Sequence, residues 1–243
     1  MTGYRLVLPN NTNNDETNVT IKGIIFDMDG TLTKPQTWMF GEMRNQLNVP
    51  NGIDILTHLD SLPTIKDKEE AELKLRLIEE KAMIEQEPTI GLFETLQKLN
   101  KLDIKTSICT RNVPKPVSKF CSKFLNYDPF NDENGNGNSI LTGPIVTREF
   151  KPPKPSAKPL LHIINSWNVK SNEVIMVGDS NDDIDAGLNA GCAVILLRHD
   201  DNYHVEKSYN FENNNKLDAI VTDLNELYNV LENGLYVKSR ESI

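Results

Sequence analysis

The chain has 243 residues, of which 38% are hydrophobic and 25% charged, and it carries a net charge of −9. That length holds one large α/β domain, or a core with a modest insert, at an ordinary globular composition. The acidic balance argues against general nucleic-acid binding, which needs a basic footprint, but leaves room for a phosphorylated small molecule held through a divalent cation.

Residues 1–20 are rich in Asn and Thr and read as a flexible polar tail, in which Tyr4-Arg5-Leu6-Val7-Leu8 could add an edge strand. Asp15, Glu16 and the lack of an apolar run suit neither a secretory signal nor a mitochondrial presequence. No stretch approaches the ~20 apolar residues of a membrane span. Cys109, Cys121 and Cys192 are odd in number and lack CxxC spacing, as expected of reduced intracellular thiols rather than a disulfide framework or zinc site. His58, His162, His199 and His204 show no metal-ligating spacing. The expected setting is the cytoplasm, or also the nucleus, with no membrane and no nucleic-acid partner.

The first buried strand is predicted over 22–27, where the apolar run Gly23-Ile24-Ile25-Phe26 exits into Asp27-Met28-Asp29-Gly30-Thr31-Leu32. Two carboxylates two residues apart at such an exit can divide into a nucleophile and a proton carrier, provided a cation and phosphate groups lie between them. They can equally bind a cation for structural reasons. Residues 34–88 differ in texture and read as a small helical insert. Its main helix, over 67–86, has Ala71, Leu75, Ile78 and Ala82 at helical spacing and ends before Pro88; the apolar repeat is too short for a coiled coil.

Alternation resumes at Gly91 with a helix over 91–101 and a strand over 103–109 that ends at Thr110. A helix over 115–125 follows, then a low-complexity loop at 132–138, one or two short strands within 140–147, and a helix over 156–166. The strand over 173–177 exits into a second acidic cluster, Gly178-Asp179-Ser180-Asn181-Asp182-Asp183. After it come a helix over 182–190 stopped by Gly191, a strand over 193–197, a polar loop over 199–216, a strand over 218–221 and a helix capped by Asp223. Alternating strands and helices predict an α/β fold with a doubly wound parallel sheet. The expected organisation is a tail at 1–20, a core from 21–33 and 89–235, and an inserted helical segment at 34–88.

A parallel sheet gathers the carboxyl ends of its strands at one edge, so Asp27, Asp29, Thr110, Lys154 and Asp179 are expected to converge. Asp27 and Asp179 supply the hard oxygen ligands that suit Mg²⁺. Thr110 offers a hydroxyl and a backbone N–H to a phosphoryl oxygen. Lys154 offers a point charge before a Pro-started helix whose N-terminus also favours anions; Lys151 is the other candidate in Lys151-Pro152-Pro153-Lys154-Pro155. Asp182 and Asp183 could simply open the following helix, and Arg111 could face either substrate or solvent. Gly135-Asn136-Gly137 is not a dinucleotide fingerprint, and no Walker-type phosphate loop is present.

These residues resemble the four ordered motifs of the haloacid dehalogenase-like (HAD) hydrolase superfamily over about residues 21–232. They are Asp27-Met28-Asp29-Gly30-Thr31, the strand-end Thr110 with Arg111-Asn112, Lys154-Pro155, and Gly178 to Asp183. The resemblance implies a Rossmann-like core and makes the insert similar to the family's helical C1-type cap. It implies that Asp27 becomes an aspartyl-phosphate while Asp29 protonates the leaving group and later activates water. It implies Mg²⁺ on Asp27, the Asp29 carbonyl and Asp179, a phosphoryl group held by Thr110, Arg111 and Lys154, and a supporting Asp183. The expected activity is Mg²⁺-dependent hydrolysis of a small phosphorylated metabolite. Sugar-phosphate mutation and a catalytically silent binding role on the same fold are the alternatives. Asp29 speaks against a dehalogenase, which lacks the second acid.

Overall fold

The computed structural model describes residues 3–12, 15–53, 55–130, 140–209 and 216–238. The low-complexity run at 132–138 and the Asn-rich residues 213–215 lie outside them.

Within the segment expected to be a tail, β1 (Gly3–Val7), which the sequence allows as an edge strand, and β2 (Asn18–Thr20) pair in parallel. The first core strand, β3 (Gly23–Phe26), is buried at every position. Then come three helices, α1 (Trp38–Leu47), α2 (Ile55–Asp60) and α3 (Ile65–Glu85), before α4 (Leu92–Lys101) returns the chain to β4 (Lys105–Ile108). Pro114 opens α5 (Pro114–Phe120), which loosens into one wide turn over Cys121–Leu125. Further on lie α6 (Lys158–Trp167), β5 (Val174–Gly178), α7 (Asn181–Ala190) and β6 (Ala193–Leu197). The chain closes with α8 (Tyr203–Tyr209), β7 (Ala219–Val221), α9 (Leu224–Asn233) and β8 (Leu235–Lys238).

Five strands form a parallel sheet in the order β4-β3-β5-β6-β7. Because side chains alternate across a strand, Ile24, Phe26, Ile175 and Val177 face one core with Leu96 of α4, Phe120 of α5 and Leu227 of α9. Ile25, Val174 and Met176 face the opposite core with Ile163 of α6, Ile184 of α7 and Val205 of α8. Helices therefore cover both faces, which is why β3, β5 and β6 read as unbroken apolar runs. Asp223 caps α9 by accepting from the Glu226 N–H at 2.9 Å, as the sequence suggested.

Three segments differ from expectation. β1 accepts β8 on its other side, so a second sheet, β2-β1-β8, lays Leu6, Leu235 and Val237 into the core that contains α9. Residues 140–147 form no strand; Val146 makes only an isolated bridge to Cys109, and Thr142 and Gly143 donate their N–H groups to the Thr106 carbonyl. The supposed polar loop after β6 winds into a single helical turn over Asp200–Asn202 and then α8, because Val205 and Tyr209 have a core to enter.

The chain forms two compact units, Met1–Lys34 with Pro88–Ile243, and Pro35–Glu87. The second unit consists of α1, α2 and α3. Thr64 caps α3 by accepting from the Asp67 N–H at 3.1 Å. Met43 of α1 and Ala71, Ile78 and Ala82 of α3 are buried. Lys81 ties the two helices together, lying 4.5 Å from the centre of the Trp38 ring and 3.2 Å from Glu42. Among the described residues no helix is long and apolar enough to cross a membrane.

Candidate active site

Because β4, β3, β5 and β6 lie side by side and run parallel, the residues just past their ends share one edge. Asp27 leaves β3 with its N–H on the Val177 carbonyl of β5 (2.9 Å), which fixes the first acid against the neighbouring strand. The Met28 carbonyl then takes the N–H groups of Leu32 and Thr33, both at 2.9 Å, and folds the chain into a tight loop. Gly30 sits in that loop at φ +81°, and a Cβ there would strike the Asp179 carboxylate. Gly178 is constrained by the same closeness, since its Cβ would overlap Asp183.

Lys154 lies at the centre. Its ammonium donates to Asp27 Oδ1 at 2.6 Å and to Asp183 Oδ1 at 2.5 Å, and the three side chains are only 2%, 10% and 1% exposed. Lys151 is exposed. Lys154 precedes α6 by four residues, so it reaches the centre by its own length rather than from the helix end. Asp183 combines both readings it had in the sequence. Its Oδ2 accepts from the N–H groups of Asp179 and Ser180 and from the Ser180 hydroxyl, capping α7, while Oδ1 anchors Lys154.

Thr110 is buried at the end of β4. Its N–H donates to the Val146 carbonyl, so that group is not available to a phosphoryl oxygen as the sequence suggested. Its hydroxyl accepts from the Asn112 N–H at 3.0 Å and keeps its own proton to donate. Asn112, which follows the second motif but is given no role by the sequence, donates from Nδ2 to Asp29 Oδ2 at 3.0 Å. Arg111 turns to the rim and pairs with Asp182, away from the Lys154 centre.

Burial dominates the electrostatics. It pushes the Asp27 carboxyl well above its usual range, with Lys154 opposing and Asp183, Asp179 and Asp29 adding to the rise. Asp29 and Asp179 are also raised by burial, against the opposing hydrogen bonds from Asn112 and His199 respectively. Burial works against the Lys154 charge too, but Asp183 and Asp27 outweigh it and hold the amine above its usual value.

Four acids around one ammonium, with Asp27 and Asp183 buried, Asp179 half-buried and Asp29 reaching solvent, leave an excess of negative charge at the strand ends. Asp27, Asp179 and Asp183 can each present a carboxylate oxygen within 4.8 Å of the others. Hard oxygens with unbalanced charge fit Mg²⁺. Both Asp183 oxygens already have donors, which leaves Asp27 and Asp179 as the side chains suited to hold the ion.

Two residues that sequence reasoning passed over lie behind one of these acids: His199 and Asn202, just past β6, contact Asp179. Only their position after a core strand could have pointed to them.

The family model for haloacid dehalogenase-like hydrolases matches residues 21–191. An uncharacterized hydrolase of Saccharomyces cerevisiae, YOR131C, is 42% identical over 214 residues, spanning 88% of this chain and 92% of that protein. A phosphoglycolate phosphatase of Chromobacterium violaceum is 36% identical over 83 residues, or 33% of each chain. In fold, the chain is similar to the crystal structure of a predicted phosphoglycolate phosphatase from Haemophilus somnus 129pt, with a TM-score of 0.65 at 19% identity over 86% of this chain and 97% of that one.

Proposed function

The chain belongs to the haloacid dehalogenase-like hydrolase family, and from that premise we propose that it is a Mg²⁺-dependent phosphoric monoester hydrolase acting on a small phosphorylated metabolite through a phosphorylated Asp27. The observation that carries this reading is the separation of two carboxyls only two residues apart. Asp27 is held by Lys154, and Asp29 is held by Asn112 from the neighbouring strand end.

In the proposed first step an oxygen of Asp27 attacks phosphorus, the bond to the leaving oxygen breaks, and protonated Asp29 gives that oxygen its proton. Burial, which raises Asp29, favours the protonated form the step requires. Water then attacks phosphorus as Asp29 takes up its proton; the bond to Asp27 breaks, and both acids return to their starting states. Lys154 offsets the repulsion between the nucleophile and a phosphate dianion, and the Thr110 hydroxyl donates to a phosphoryl oxygen. Mg²⁺ held by Asp27 and Asp179 would neutralise charge on the transferring group. Asp183 keeps Lys154 in place.

The test is release of phosphate from p-nitrophenyl phosphate with Mg²⁺ and with EDTA, in the native chain and in Asp27→Asn. Metal-dependent turnover that disappears in the variant is expected. Turnover indifferent to EDTA, or retained by Asp27→Asn, would overturn the reading. A panel headed by phosphoglycolate, with phosphorylated sugars, nucleotides and pyridoxal phosphate, ranks substrates by kcat/KM.

A further inference from the structure

We propose that His199 and Asn202 are positioning residues for the metal-binding carboxylate Asp179. The inference rests on the reading above, in which Asp179 helps to hold Mg²⁺. Both residues lie beyond the span 21–191 that matches the family model.

The sheet places them there. β6 is the neighbour of β5, with Gly178 opposite Leu196, so the turn after β6 lies beside the turn after β5. His199 Nε2 is 3.0 Å from Asp179 Oδ2. Its other ring nitrogen, Nδ1, accepts from the Asp201 N–H at 3.3 Å, which places the ring proton on Nε2 and makes the imidazole the donor to the carboxylate. Asn202 is buried and closes the other side: its Nδ2 donates to the Asp179 carbonyl at 2.8 Å and to the Leu197 carbonyl at 2.9 Å. Its Oδ1 accepts from the His199 N–H at 2.8 Å. One asparagine thus locks the histidine's backbone to that of the acid the histidine holds.

Asp179 needs such a restraint. It is half-buried beside three other acids, Asp27, Asp29 and Asp183, and a carboxylate repelled by its neighbours lowers its energy by rotating away. The His199 bond fixes Oδ2, and Gly30 lies close enough to the same oxygen that a Cβ there would collide with it. With Oδ2 fixed, Oδ1 is the oxygen left for the ion. Partners of this kind orient ligands and typically change metal affinity or activity by about 10–100-fold when removed.

The test measures Mn²⁺ binding by electron paramagnetic resonance, with Mg²⁺ as competitor, alongside p-nitrophenyl phosphate hydrolysis in the native chain, His199→Ala and His199→Gln. His199→Ala is expected to weaken Mn²⁺ binding and raise the Mg²⁺ concentration for half-maximal rate by the same factor, about tenfold. KM should stay unchanged, and kcat at saturating Mg²⁺ should stay near native. His199→Gln, which retains an N–H donor, should recover most of the affinity, and it carries the test alone if the alanine variant does not fold. Unchanged Mn²⁺ binding in His199→Ala overturns the inference and leaves the phosphatase reading intact, as does an equal loss in the glutamine variant. A native chain that binds no Mn²⁺ and hydrolyses without metal overturns both.

Discussion

Two charged groupings bridge the strand ends of the same sheet, and they differ in nearly every property that decides what an ion pair is worth. Lys154 with Asp27 and Asp183 is buried, and Asp183 is further held by two backbone N–H groups and a hydroxyl. Arg111 with Asp182 lies at the rim, with side chains 64% and 27% exposed. Water competes for the second pair and screens it, so its net worth is about 0–1 kcal/mol. The buried triad has little water to fall back on, so removing one partner strands a charge in the interior, at a typical cost of about 3–5 kcal/mol. The same edge of the sheet therefore carries a buried, multiply bonded centre and a replaceable rim, and only the centre holds its carboxylates in one arrangement.

The largest effect should come from Lys154→Met. Loss of the ammonium leaves Asp27 and Asp183 facing each other, and turnover is expected to fall by about 10³-fold or more, in the range of losing charge stabilisation at a phosphoryl centre. A stability loss of about 3 kcal/mol would lower Tm by about 6–12 °C in a chain of this size. Calorimetry showing an unchanged Tm would break the contrast between centre and rim. Pairing the change with Asp27→Asn should restore part of the loss, because it removes the stranded acid.

Asn112→Ala comes next. It frees Asp29 without touching Lys154, so kcat should drop by about tenfold, less than the roughly 10²–10⁴-fold that a proton-transfer group itself contributes, with KM nearly constant. A rise in KM alone would mean that Asn112 serves the substrate rather than Asp29.

Asp179→Asn tests whether the centre is overcharged. A carboxyl raised in the folded state still binds a proton that the unfolded chain has lost. Its penalty is thus absent below the ordinary carboxylate range and grows as pH rises through the folded value. In EDTA at pH 7.5 the variant should melt about 2–4 °C above the native chain, equivalent to roughly 1 kcal/mol. The gain should vanish towards pH 4, and Mg²⁺ should reverse it by stabilising the native chain alone. Arg111→Ala is the smallest, with Tm expected within about 2 °C of native, the shift for roughly 0.5 kcal/mol at an exposed pair. A rise in KM for phosphorylated substrates would show that Arg111 leaves Asp182 to meet them.

What could be read in advance followed burial. β3, β5 and β6 are covered on both faces, so the sequence shows them as apolar runs, and the acids at their exits stand out against that background. β8 is covered on one face only, in the short alternation Leu235-Tyr236-Val237-Lys238, and β2 has no fully buried residue. Runs of three or four such residues look like tail. The site divides in the same way. Asp27 and Asp179 were visible because they interrupt apolar runs, whereas Asn112, His199 and Asn202 sit among polar residues and gain their roles only from neighbouring strands. Thr110 shows the reverse case: its hydroxyl was legible, but the commitment of its N–H to Val146 depends on a partner 36 residues away that makes no strand.

The pairing of β1 with β8 sets Gly3 opposite Lys238 and Leu6 opposite Leu235. On a ribosome, β1 is made about 230 residues before this partner, since Leu6 pairs with Leu235. Until then its apolar edge, Leu6 included, stays open to any other extended segment nearby. Synthesis of β8 is thus the event that closes this edge, and a protein cut just before Leu235 should retain its parallel sheet while showing a new tendency to self-associate through β1.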